Sequence, residues 1–79
     1  MSPRLVPISG KKLVRVLESL GFVLERKQGS HCFFIHPETR LTTTVPLHSN
    51  EDLGPGLLRK ILRDIDIDIE TFENLRLKK

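Results

Sequence analysis

The sequence predicts an α+β domain: a helix, three short antiparallel strands, a second helix and a short helical tail, within 79 residues. Three observations predict it. Leu13, Val16, Leu17 and Leu20 follow the i, i+3, i+4, i+7 spacing of one buried helix face. A second stripe of that kind runs through Leu57, Leu58, Ile61, Leu62 and Ile65. Between the two lie three runs of strand-forming residues separated by short polar breaks. A helix with a single apolar stripe must bury it, and one face of the sheet gives both helices a common surface. The opposite face is then left to solvent or to a partner.

Each element has its own reason. Residues 1–8 contain Pro3 and Pro7 and read as an extended N-terminal arm. Ser9 is placed to cap the first helix, and Gly21 fits the left-handed position that ends it. The strand candidates are FVLERK (22–27), HCFFIH (31–36) and RLTTTV (40–45), joined by the hairpin-sized breaks QGS and PET. In the third run Leu41, Thr43 and Val45 share one side and Arg40, Thr42 and Thr44 the other, and Pro46 ends the ladder because it has no N–H to donate. LHSNEDL (47–53) is a polar connection. The second helix opens at Gly54-Pro55, with Leu53 and Leu58 spaced for a hydrophobic staple. DIDIDI (64–69) alternates as a strand would. We read it instead as a helix end, a turn, and a new helix capped by Asp68 that docks through Ile69, Phe72 and Leu75. The whole chain, 1–79, is thus one domain with an arm (1–8), a core (9–66) and a helical tail (67–79). The order α-β-β-β-α is the layout of double-stranded-RNA-binding domains.

Size and charge bound what such a domain does. A chain this short buries only about 60% of the surface its unfolded form exposes, so any site is expected to be an open surface or a shallow groove. Residues 1–63 carry ten Lys and Arg against five acids, whereas residues 64–79 carry three against five. A cationic body suggests a polyanionic partner such as nucleic acid; ordinary solubilising charge is the plainer alternative. The single cysteine, Cys32, has no internal disulfide partner, and no stretch is apolar for long enough to suggest a signal peptide or a membrane span. The expected location is the cytoplasm, with no membrane association.

The residues that invite chemistry are His31, His36, His48 and Cys32. His31 and His36 are five positions apart and should point to opposite faces of the sheet. Cys32 and His36 share a face but lie roughly 13 Å apart along a strand, too far to hold one ion, so no metal or other cofactor is expected. His31 points away from Cys32 and cannot serve it as a base, which leaves Cys32 an ordinary strand residue. His36 before Pro37 reads as capping a turn, and His48 as part of a solvated loop. In the pair Phe33-Phe34 adjacent side chains face opposite ways, so at least one belongs to the core and no aromatic platform is expected. The free backbone N–H groups of the helix start at Gly54-Pro55-Gly56 are at most a weak phosphate-binding feature. His31 is different. It follows Gly29-Ser30, where backbone can approach a ligand closely, and it is near Arg26 and Lys27. An imidazole exchanges protons near neutrality. Cationic neighbours stabilise charge developing on phosphate oxygens, and the ribose 2′-hydroxyl is a nucleophile built into RNA. Read from the residues alone, a histidine opening a hairpin is still more often structural than catalytic.

Three spaced blocks resemble a known family, the HicA (YcfA-like) toxins of bacterial type II toxin–antitoxin pairs. SGKKLVRVLESLGF (9–22) resembles its opening helix. GSHCFFIHP (29–37) resembles its Gly-Ser-His, strand, His-Pro signature, and TVPLHSNEDLGPGLLRKIL (44–62) its VP-x-H, Leu-x-x-Gly and second-helix segment. The resemblance runs from about Ser9 to Phe72. Departures lie at Thr42-Thr43, at Cys32 and at both termini, none within Gly-Ser-His. The resemblance implies a double-stranded-RNA-binding-domain-like fold and metal-independent endoribonuclease activity on mRNA (an mRNA interferase). It also implies inhibition by a HicB-like antitoxin, and a catalytic histidine that maps onto His31. Lys11, Lys12, Arg26 and Lys27 would then grip phosphates beside Gly29 and Ser30. Two other readings stand beside this one: a non-catalytic RNA-binding module of the same fold, and an interaction protein whose basic face docks an acidic partner.

Overall fold

A computed structural model describes residues 6–47 and 52–78. The earlier part of the arm and His48 lie outside the described residues. The elements are β1 (Ile8–Ser9), α1 (Gly10–Ser19), β2 (Val23–Gln28), β3 (His31–Ile35), β4 (Thr42–Pro46), β5 (Asp52–Leu53), α2 (Pro55–Asp64) and α3 (Ile69–Lys78). Strands β2, β3 and β4 form the expected three-stranded antiparallel meander, with β3 in the middle. The predicted α+β layout with its helical tail is the architecture found.

The helix ends are set by the residues that the sequence marks for them. Ser9 Oγ accepts a hydrogen bond from the Lys12 backbone N–H at 3.2 Å, capping α1. After α1 the chain turns at Gly21, whose φ of +98° is open to glycine at little steric cost. A side chain there would also collide with His36, since a Cβ on Gly21 would lie 2.8 Å from His36 Nε2. In DIDIDI, α2 ends at Asp64, Asp66 adopts φ +60°, and Asp68 Oδ1 accepts from the Thr71 N–H at 2.8 Å to start α3. The alternation of that segment is therefore no strand.

One core joins all these parts. Leu13, Val16 and Leu17 from α1, and Leu58, Ile61 and Leu62 from α2, are buried against Cys32 and Phe34 of β3 and Val45 of β4. Phe72 of α3 is fully enclosed in the same cluster, so the helical tail completes the core. Thr43, the one buried polar residue among the described residues, donates from Oγ1 to Asp64 Oδ2 at 3.0 Å, which ties β4 to the end of α2. The helices pack on β4, and β2 is exposed along its whole length.

Two short strands add to what the sequence suggests. The end of the extended arm is tied down, because Ile8–Ser9 pairs antiparallel with Asp52–Leu53, and Ile8 and Leu53 are both buried. The polar connection correspondingly ends in a strand. Two residues paired across most of the chain leave no periodicity to read, which is why neither strand is visible in the sequence.

Candidate active site

The alternation of β3 decides which side chains face outward. Cys32 and Phe34 are buried toward the helices, His31 is exposed, and Phe33 and Ile35 are half-buried on the uncovered face. Strand register extends this face sideways. Gln28, His31 and Pro46 form one row, Arg26, Phe33 and Thr44 the next, and Val23, Ile35 and Thr42 the third. His31 thus sits on the side of the sheet away from the helices, at the end where β2 turns into β3.

That turn is a two-residue hairpin loop, Gly29-Ser30, with Gly29 at φ +61°. Glycine in the first central position is what a type II′ turn requires, and such turns match the twist of the flanking strands. No atom lies within 4 Å of the place where a Gly29 Cβ would stand, so the turn is open around that position. Ser30 is fixed through its backbone: its carbonyl accepts from the Leu47 N–H at 2.6 Å. Leu47 and Pro46 also receive the start of α1, where a Cβ on Gly10 would lie 2.5 Å from Leu47 Cδ2. Lys11 and Lys12, in the first turn of α1, are therefore carried to the end of the sheet that holds His31.

The two basic residues of β2 are not equivalent. A bulge between Leu24 and Arg26 shifts the register, so Arg26 lies across from Phe33 and Lys27 across from Cys32. Arg26 joins His31 on the open face, with its guanidinium carbon 4.4 Å from the Phe33 ring centroid. Lys27 belongs to the other side of the sheet, exposed because β2 extends past the helices. Without the bulge, simple alternation from Val23 would have put Lys27 outward and Arg26 inward.

The other candidates have structural tasks. His36 Nδ1 accepts from the Glu38 and Thr39 backbone N–H groups at 3.2 and 3.3 Å. Its Nε2 must then carry the proton, which it donates to the Leu20 carbonyl at 3.1 Å. The ring also meets Phe22 edge-on at 5.2 Å between centroids. His36 is thus the turn cap that the sequence suggests, and it additionally fastens the β3–β4 loop to the end of α1. Cys32 is buried and free. Among the described residues no group of three His, Cys, Asp or Glu is placed to hold a metal ion. A hollow between α2 and α3, lined in part by Arg59, Arg63, Ile67 and Glu70, shares no residue with the His31 face.

Two residues of the open face escaped the sequence reading. Gln28 lies directly across from His31, and Phe33 faces outward under Arg26 while Phe34 is the buried member of the pair. The signal for Phe33 was present, since it stands two positions after His31 on the same strand.

A three-stranded sheet backed by helices, carrying an exposed imidazole on its uncovered side, defines a small α+β domain of the double-stranded-RNA-binding type. The model of the HicA toxin family of bacterial toxin–antitoxin systems matches residues 10–67, most of the chain, and this protein belongs to that family. It is accordingly the toxin of a toxin–antitoxin pair, a protein whose partner is an antitoxin. No curated protein matches the chain.

Proposed function

We propose that this toxin is an endoribonuclease that cleaves mRNA, with His31 as its proton-transfer group. The observation that carries the reading is the exposure of His31 on the uncovered sheet face, beside an arginine and at an open glycine turn. In the reaction the ribose 2′-hydroxyl attacks the adjacent phosphorus as His31 takes its proton. The bond from phosphorus to the 5′ oxygen breaks, and that oxygen leaves with a proton from the imidazolium or from water. The products are a 2′,3′-cyclic phosphate and a 5′-hydroxyl end. Because the nucleophile belongs to the substrate, no metal-activated water is needed for this chemistry.

The surrounding residues serve the phosphate. Arg26 offers a planar, permanently charged donor on the same face, suited to the charge that builds on the non-bridging oxygens. The Gly29-Ser30 backbone lets the ribose-phosphate chain come close. Lys11 and Lys12 reach the same end of the sheet from α1, and Lys27 provides charge along the β2 edge. A HicB-like antitoxin would silence the enzyme by covering this face, and both proteins would work in the cytoplasm. Among the described residues, no helix is long and apolar enough to cross a membrane.

End-group analysis of RNA incubated with the purified toxin tests the reaction type. Cyclic phosphate and 5′-hydroxyl ends, formed undiminished in excess EDTA, are the expected result. Ends bearing 5′-phosphate, or cleavage abolished by EDTA, contradict the mechanism. RNA that is bound tightly but never cut would favour the binding-module reading.

A further inference from the structure

The proposed reaction leaves Phe33 without a task. An aromatic ring on an uncovered sheet face usually exposes apolar surface at some cost, and here it sits on the middle strand, two residues along from His31. Side chains two apart on a strand stand about 6.6 Å from one another on the same face. That is within the reach of one extended nucleotide. Arg26 lies over the ring at 4.4 Å, so the pair presents a flat surface with a positive charge built into it. Nucleobases stack on both kinds of plane, aromatic and guanidinium.

The rest of the face fits an anionic strand. Among the nine residues that register pairs on this face none is acidic, the nearest acid being Glu25 in the bulge beside Arg26, and Gln28, Thr42 and Thr44 supply neutral hydrogen-bonding groups. A duplex has no free base faces to offer along its flank, because its bases are stacked on each other within the helix. A stacking surface beside His31 is therefore useful only to unpaired RNA.

We propose that Phe33 and Arg26 form a stacking platform for an unpaired nucleobase next to the scissile linkage, so that this toxin selects single-stranded RNA despite its duplex-binding type of fold. The inference rests on the reading that the His31 face meets RNA, and goes beyond it by naming the form of RNA and the residues that select it.

Binding measured on the His31→Ala chain tests the platform with the RNA left intact. The probes are a fluorescein-labelled oligoribonucleotide without self-complementarity and the same strand annealed to its complement. The single strand should bind more tightly than the duplex. Adding Phe33→Leu, which keeps a strand-compatible apolar side chain, should weaken single-strand binding about ten-fold and leave duplex binding unchanged. Phe33→Trp, with a larger plane at the same place, should bind at least as tightly as the phenylalanine form. Equal binding of both probes overturns the proposal, as does single-strand affinity indifferent to Phe33→Leu. Should Phe33→Leu fail to fold, a tryptophan form that binds more weakly overturns it as well. Failure of the nuclease reading would look different: the parent chain would leave RNA whole while Phe33-dependent binding persisted.

Discussion

At the scale of single residues, the two described histidines divide the work through strand alternation. His31 is exposed on the uncovered face of the sheet. His36 is committed at both nitrogens and packs against Phe22. Replacing His36 with alanine removes three hydrogen bonds and an aromatic contact, and should cost about 1–3 kcal/mol of stability. Gly21→Ala should destabilise in the same direction, since it forces a side chain into a left-handed backbone and against the His36 ring. Denaturant midpoints of both variants check this; unchanged midpoints would mean that the loop is not held through His36. The separation of roles was legible in HCFFIH, because the buried pair Cys32 and Phe34 fixes the phase of the strand. Which basic neighbour accompanies His31 was not legible. The bulge in β2 reverses the phase within a single residue, and nothing in LERK announces it.

At the scale of elements, caps and turns were the most readable features, and short distant pairings the least. Ser9, Gly21 and Asp68 act where the sequence places them because each meets a local backbone need within three residues. β1 and β5 depend on contact between segments far apart in the chain, and no local rule finds them. The edge strand β2 illustrates a further element-level device. Its bulge and its charged run Glu25-Arg26-Lys27 discourage pairing with other chains, as edge strands require. The α3 cap gives a pH prediction. The Thr71 side-chain and backbone hydrogen bonds hold the Asp68 carboxyl below its ordinary value. A depressed value means that the cap's contribution is fully present above the unfolded-state value and is lost as pH falls through the lower folded-state value. The Thr71 amide resonance, followed by NMR during acid titration, should therefore move with a midpoint below that of a free aspartate. A midpoint at or above the free value would show that the cap is not formed in solution.

At the scale of the whole molecule, the tail belongs to the one core. Phe72 is fully buried against residues from both other helices' cluster, so Phe72→Ala should cost about 3–5 kcal/mol. For a domain whose total stability is on the order of 5–15 kcal/mol, thermal unfolding of that variant should begin tens of degrees earlier or be complete at room temperature. A melting curve close to the parent's would show α3 to be an independent appendage. The helices, the tail and the core positions Cys32, Phe34 and Val45 of β3 and β4 were foreseeable from apolar spacing, since burial alone dictates it. The open face was foreseeable only as a leftover, because what remains uncovered is set by where α1 and α2 lie against β4 and by how far β2 projects beyond them. That projection leaves the toxin a helix-free sheet face carrying Arg26 and His31, the surface that the proposed reaction uses.

The most direct test compares RNA cleavage by the parent toxin and by His31→Ala, purified free of antitoxin, with binding to the same RNA measured in parallel. Removing a positioned acid–base group should reduce the cleavage rate about 10²-fold or more, while the folded variant retains RNA affinity within a few-fold of the parent's. Cleavage at the parental rate by His31→Ala would contradict the assignment of that imidazole as the group that moves the proton.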